Sequence, residues 1–315
     1  GTEFVDSVSF CRSGFWYIGG QLLTYRRNFL RDGIYSMLKI VCAIVFSLFL
    51  NSCVSSAMTS IADNLSQAIL NQNDPETVRD GAPAYLVMID GLIEGDPENT
   101  DLLLTGAKLY GSYTSAFVDD ESRSRRLAKK SFDYAKRALC LEAEDFCTQL
   151  DSKLEPFKAS LSEVDEDEIK LLYQFSVAWA GWVQVNSSDW NALADLSKLT
   201  ALFEHTLLLD EAFDDGGAHV YLGVLGSQLP PSLGGKPDLA RAHFERAIEI
   251  SGGRNLMFSV LMAEHYARLV FDQEMHDSLL ASVQRSDAEY NGYTLVNTIA
   301  KIRAEKLLAG SPDFF

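Results

Sequence analysis

Residues 218–250 read AHVYLGVLGSQLPPSLGGKPDLARAHFERAIEI, and their spacing decides the fold. In the second half, Leu239, Ala240, Phe244, Ala247 and Ile248 recur at three and four residues, with Arg241, Glu245, Arg246 and Glu249 between them. That is the pattern of an amphipathic helix with one face turned to a core. Pro237-Asp238 begins it, with a proline in the first turn and an acid at the positive end of the helix dipole. Gly252-Gly253 ends it. Tyr221-Leu222-Gly223 lies on a preceding helix, and the joining segment 226–237, GSQLPPSLGGKP, is long for a connection within a helical hairpin. A long insertion at that place favours a contact with a partner or another subunit, with Pro230, Pro231, Leu233, Gly234 and Gly235 as the candidate residues.

The same texture extends outward. Prolines are few, no alternating run of β-branched residues marks a sheet, and the periodicity predicts helices near 57–71, 76–94, 99–117, 121–141, 154–161, 165–185, 189–210, 217–229, 237–251, 255–270, 273–284 and 290–308. Asp74-Pro75-Glu76 and Asp165-Glu166-Asp167-Glu168 carry helix-start signals. Ala240, Phe244 and Ala247 fit the A-x3-F-x2-A pattern of the second helix of a tetratricopeptide repeat, where small residues admit the paired helix and the aromatic fills the groove. Ala128, Phe132 and Ala135 fit it again. Ala84, Met88 and Gly91 fit it loosely, and Leu199, Phe203 and Thr206 in degraded form. The four key positions are 44, 71 and 41 residues apart, not evenly spaced. The expected fold is all-α, an α-α superhelix of helical hairpins of divergent tetratricopeptide type.

Helix 165–185 is apolar nearly all round, with Tyr173, Phe175, Trp179 and Trp182 among Ala178, Ala180 and Gly181. Such a helix is buried on every side or lines an apolar cavity. Tyr173, Trp179 and Trp182, with Tyr221 and Leu222 on the following hairpin, are the candidate lining residues for a hydrophobic small molecule.

The chain has 315 residues and a formal net charge of −17. From Ile40 to Leu50 only Ser47 is polar; the run follows Lys39 and ends at Asn51-Ser52-Cys53. It is too short to span a bilayer. A positive start, a short apolar run and small residues at a cut site describe a secretory signal. Leu50-Asn51-Ser52-Cys53 resembles a bacterial lipobox, with Asn51 departing from the usual small residue. Three readings stand in order: a lipoprotein signal with Cys53 lipidated, a plain signal peptide, and a buried helix. The expected organisation is a leader at 1–36 of separate origin, a lipoprotein signal at 37–52, and one all-helical domain at 53–315. Localisation would then be periplasmic, with the membrane reached only through the lipid anchor. Residues 1–52 hold more basic than acidic side chains, so the acidic excess falls in 53–315. Such a surface repels nucleic acid. Cys140 and Cys147, seven apart, would lie about 10 Å apart on an unbroken helix. A disulfide needs a helix end within LEAEDF, and the alternative is two unpaired thiols.

No catalytic constellation emerges. GGKP at 234–237 has Pro237 where a phosphate loop needs Ser or Thr. His219, His243 and His265 form no H-E-x-x-H, and no metal or cofactor pattern appears. An enzyme is unsupported.

Segment 218–250 also resembles the T-component (TatT) family of tripartite ATP-independent periplasmic (TRAP) transporters. The resemblance rests on Tyr221-Leu222-Gly223, the prolines 230 and 231, Leu233-Gly234-Gly235, and the helix from Ala240 through His243, Phe244 and Arg246 to Ala247. It extends over about 60–310. It implies an exported helical protein that partners the periplasmic solute-binding receptor of a TRAP transporter. Self-association, a trimer being one form, and an apolar channel through each subunit are implied with it. The alternative is a general exported scaffold for envelope assembly with no ligand of its own.

Overall fold

Apolar residues at helical spacing, interrupted by Asp, Asn, Pro and Gly, dictate a chain of short antiparallel helices. A computed structural model describes residues 67–228 and 235–315. The leader 1–36, the signal-like run 37–52, Cys53 and most of the first expected helix lie outside the described residues. So do Pro230, Pro231, Leu233 and Gly234, while Gly235 is described and precedes a helix. Every regular element among the described residues is helical. The main ones are α1 (Pro75–Gly95), α2 (Thr100–Phe117), α3 (Glu121–Glu142), α4 (Leu154–Leu161), α5 (Ile169–Val185), α6 (Leu196–Leu209), α7 (Gly217–Gly226), α8 (Pro237–Ile250), α9 (Leu256–Leu261), α10 (Gln273–Arg285) and α11 (Thr294–Ala309).

The starts follow local chemistry. Asp74, Asn99, Asp120 and Asp272 each accept a backbone N–H of the first turn of α1, α2, α3 and α10, satisfying donors that a helix cannot pair internally. Consecutive helices pack as neighbours: α1 on α2, α2 on α3, α5 on α6, α6 on α7, α7 on α8 and α10 on α11. Helix α5 lies against α2, α3 and α6 at the centre of the larger core. Asn297, buried on α11, accepts the Leu256 N–H at 2.9 Å and donates to the Arg254 carbonyl at 3.0 Å, fixing the start of α9. Asn71 accepts the Gly292 N–H at 2.7 Å, so the turn before α1 meets the turn before α11.

The expected boundaries shift in three places. The run 189–210 is not one helix: it breaks at Asp195 between a short helix Trp190–Ala194 and α6. Helix α9 widens into a π turn at Met262–Ala267, where Glu264 reaches Arg303 of α11 at 2.5 Å. Helix α3 ends at Ala143 (φ −121°, ψ 63°), and a short helix Glu144–Cys147 follows. That break brings the Cα atoms of Cys140 and Cys147 to 5.0 Å, with their sulfurs joined in a disulfide.

In three of the four pattern matches the matching residues are buried or partly buried. Ala240, Phe244 and Ala247 have no exposed surface, nor do Leu199, Phe203 and Thr206. Ala128 and Ala135 are buried beside a partly buried Phe132. The match on α1 fails. Met88 is 52% exposed and Ala84 and Gly91 face solvent, because α1 buries Leu86, Ile89 and Ile93 instead. The loose spacing coincided with the wrong face of an amphipathic helix.

The α7–α8 pair shows why small residues matter at the seam. A Cβ on Gly223 would stand 2.8 Å from the Phe244 ring, so the bare backbone of α7 receives that ring. Polar groups close the same hairpin at its edge. His219 Nδ1 and His243 Nδ1 are 2.8 Å apart, and His219 Nε2 is 3.2 Å from Glu211 Oε1. With Nε2–H donating to Glu211, neutral His219 accepts at Nδ1 and His243 donates there. Arg246 pairs with Glu211 through two bonds of 2.8 and 2.7 Å, and holds its carboxyl down to about 2.

Two outcomes follow from this hairpin. Gly223→Ala should lower unfolding stability by about 1–3 kcal/mol through overpacking. Gly91→Ala, exposed in mid-helix with nothing within 4 Å, should raise it by about 0.5–1 kcal/mol. Urea midpoints with equal signs would contradict the seam. For pH, burial holds His219 and His243 below the ordinary 6.5, even against the pull of Glu211 on His219. His265 on the π turn is likewise lowered by burial. The unfolded chain therefore takes up protons first, and stability present above 6.5 falls as pH drops through the lowered native values. His243→Asn keeps a donor toward His219 and removes one titrating ring. It should flatten the fall in urea midpoint between pH 7 and pH 5, and an unchanged slope would remove His243 as a contributor.

Candidate functional site

Helix α5 carries two aromatic groups along its length, and they end up in different environments. Near its start, Tyr173 meets Phe203 of α6, Phe213 of the next turn and Tyr221 of α7, at centroid distances of 6.3, 5.4 and 6.5 Å. Phe203 and Tyr221 stack at 4.6 Å with planes 2° apart. Leu222 is buried in the same core. These rings pack against one another.

A strained turn secures that cluster. Asp214, Asp215 and Gly216 have φ of 50°, 55° and 81°, left-handed values that cost a non-glycine residue about 1 kcal/mol or more each. Two contacts hold them: the Tyr173 hydroxyl donates to Asp214 Oδ2 at 2.8 Å and Arg254 donates to Asp215 at 3.0 Å. The next residue, Gly217, has no room for a Cβ, which would collide with the Tyr173 hydroxyl. Burial, then the charge of Asp214, raises the Tyr173 phenol well above its ordinary value, so it stays a donor. The cluster is a structural joint between α5, α6, α7 and the turn before α9.

Two turns further along α5, Trp179 and Trp182 do line a cavity, of about 130 Å³. Its other walls are Phe132 and Lys136 of α3, Phe175 of α5, Leu150 and Asp151 of the turn before α4, and Asp195 at the helix break. Phe132, Phe175 and Trp179 form a triangle with centroids 5.4–5.9 Å apart. Phe157 of α4 meets Trp179 edge-on at 6.3 Å. The Trp179 indole N–H donates to Asp195 Oδ2 at 3.2 Å.

The structure thus divides the five residues read as lining candidates. Trp179 and Trp182 share one cavity; Tyr173, Tyr221 and Leu222 are packed elsewhere. Sequence reading passed over Lys136, Asp151 and Asp195 because each looked like ordinary surface charge. Asp195 had a usable signal, since an Asp one residue before Leu196-Ser197-Lys198 sits where helices begin. It makes no side-chain cap and turns to Trp179 instead. Burial raises the Asp195 carboxyl, with the Trp179 N–H and Lys198 pulling it back.

Among the described residues no cluster of three or more His, Cys, Asp or Glu side chains could hold a metal ion, and no helix is long and apolar enough to cross a membrane. No curated protein matches the chain. A family model described as the TRAP transporter T-component matches residues 71–315. That span takes in α1 through α11 and with them both aromatic clusters. The chain belongs to the TRAP transporter T-component family.

Proposed function

We propose that this chain is the lipid-anchored, periplasm-facing component that docks the solute-binding receptor of a TRAP transporter. The observation that carries the reading is the family match over residues 71–315, because components of a transport system act by association with it. The N-terminal Leu50-Asn51-Ser52-Cys53 supports the lipid anchor, with Cys53 as the lipidated residue. The Cys140–Cys147 disulfide fits an oxidising compartment outside the cytoplasm. The helical hairpins are read as divergent tetratricopeptide units, on the buried matches in α3, α6 and α8. Such arrays present extended faces to partners and to other copies of themselves. A homo-oligomer, with a trimer as one form, belongs to the same reading.

The acidic chain favours a receptor patch of opposite charge, which steers encounter and weakens with salt. The segment with Pro230, Pro231, Leu233, Gly234 and Gly235 is the proposed contact. A hydrophobic small molecule is the proposed ligand, a reading supported by the cavity that Trp179 and Trp182 line. The alternative is a general exported scaffold for envelope assembly with no ligand of its own.

Sedimentation of the chain with the receptor encoded nearest its gene tests this. The expected result is a defined complex at micromolar affinity or better at low salt, weaker at moderate salt. Leu233→Asp should weaken it about tenfold, roughly 1.4 kcal/mol, with the urea midpoint unchanged. No complex at either salt would reduce the reading to the scaffold.

A further inference from the structure

We propose that the Cys140–Cys147 disulfide is a positioning element of the cavity lined by Trp179 and Trp182, holding one wall in place so that the site is complete only in the oxidised chain. This rests on the reading above that the cavity takes a hydrophobic small molecule.

The walls differ in how they are built. The aromatic wall and Lys136 project from α3 and α5, long helices whose own backbone bonds fix them. Leu150 and Asp151 come instead from the turn 148–153, between the short helix Glu144–Cys147 and α4. The backbone bonds of that turn are local. The Gln149 N–H donates to the Phe146 carbonyl at 2.9 Å, Leu150 to Cys147 at 3.3 Å and Ser152 to Gln149 at 3.0 Å. Bonds of that reach shape a turn without attaching it to the rest of the fold. Attachment comes from the burial of Phe146 and Leu150, from Lys198 of α6, which donates to the Leu150 carbonyl at 2.7 Å, and from the bond between Cys147 and Cys140. The last is covalent, and it lands beside the cavity. Phe132, Lys136 and Cys140 are spaced by four, so they follow one another along a single stripe of α3. The stripe that gives the cavity two of its residues also carries the crosslink to the turn.

Fixed charge does not hold the turn. Lys136 and Lys198 stand against Asp151 and Asp195 around the space, so the site has no net sign, which suits an uncharged occupant. Burial, and after it the charge of Asp151, raises the Asp195 carboxyl, while the Trp179 N–H and Lys198 lower it. The two acids therefore repel, and Asp151, exposed on the turn, is the one placed to withdraw. The crosslink opposes that withdrawal. Forming it joins two thiols, and their two protons and two electrons pass to a disulfide donor, which leaves as a dithiol. An oxidising compartment maintains the joined state. On the reading of an exported chain, the site is assembled after export and incomplete before it.

The full chain, oxidised or reduced with a phosphine, is titrated with benzene while the indole N–H resonances of Trp179 and Trp182 are followed by NMR. The probe suits the space, since a cavity of about 130 Å³ is close to one of about 150 Å³ that takes up benzene. Benzene should shift both resonances in the oxidised chain. On reduction it should bind about tenfold more weakly, the result when roughly a tenth of molecules keep the complete wall, and reoxidation should restore it. The double variant Cys140→Ser, Cys147→Ser should match the reduced chain and ignore reductant, which assigns the effect to this pair among the five cysteines. Amide exchange should quicken on reduction in 148–153 and stay unchanged in α8. Gly223→Ala, which loosens the α7–α8 seam instead, should keep the affinity of the oxidised chain, separating position from overall stability. Equal binding by oxidised and reduced chains would overturn the positioning role and leave the cavity a ligand site. No benzene shift in the oxidised chain would overturn both, while receptor docking is read independently by sedimentation.

Discussion

Helix α5 is apolar over most of its circumference, and this constrains everything around it. Nine of its 17 residues, between Ile169 and Val183, are buried, and the exposed polar side chains, Lys170 and Gln184, share one narrow face, so water must be kept from the rest. A pair of helices cannot do that. Helices α2, α3 and α6 are all drawn onto it, and α7 follows because Tyr221 stacks on Phe203. Removal of a ring-rich helix from water contributes several kcal/mol for each large side chain at about 25 cal/mol per Å². That sum outweighs the strain of the Asp214-Asp215-Gly216 turn, which brings α7 back onto the α5–α6 pair. The strain is local, and the burial it permits is distributed over three helices.

Much of this was legible in the residues. Asp74-Pro75-Glu76 announced a helix start, and the Asp74 side chain does cap α1. Phe244 between Ala240 and Ala247 announced a ring set into a seam of small residues, and Gly223 supplies the other side. What failed was identification of the face when the pattern was weak. Ala84, Met88 and Gly91 have the spacing, but Leu86, Ile89 and Ile93 on the opposite side are larger and take the core. Hydrophobic mass decides orientation where spacing is ambiguous.

The candidate site was only half readable, for a physical reason. Trp179 and Trp182 are visible because aromatics on an apolar helix are unusual. Asp195, Asp151 and Lys136 are common surface residues whose meaning comes from distant parts of the fold. The turn before α4 brings Asp151, the break after Ala194 brings Asp195, and the fifth turn of α3 brings Lys136. None of these juxtapositions has a period in the sequence. The break at Asp195 was hidden because Trp190 through Leu209 keeps helical spacing across it.

The two ring clusters on α5 differ in what faces them. At Tyr173, α6 is regular and sends Phe203 inward, and α7 adds Tyr221, so the rings pack on one another. At Trp179 the facing chain is the broken segment. Its short helix turns Ala192 to the core, while Trp190, the one side chain large enough to fill a void, is 84% exposed. The same break exchanges the cap of α6 for a carboxylate beside an indole. Packing alone would favour the opposite arrangement, Trp190 inward and Asp195 capping. The arrangement that forgoes both keeps an aromatic cavity where a filled core would pack more tightly, at a cost to folding.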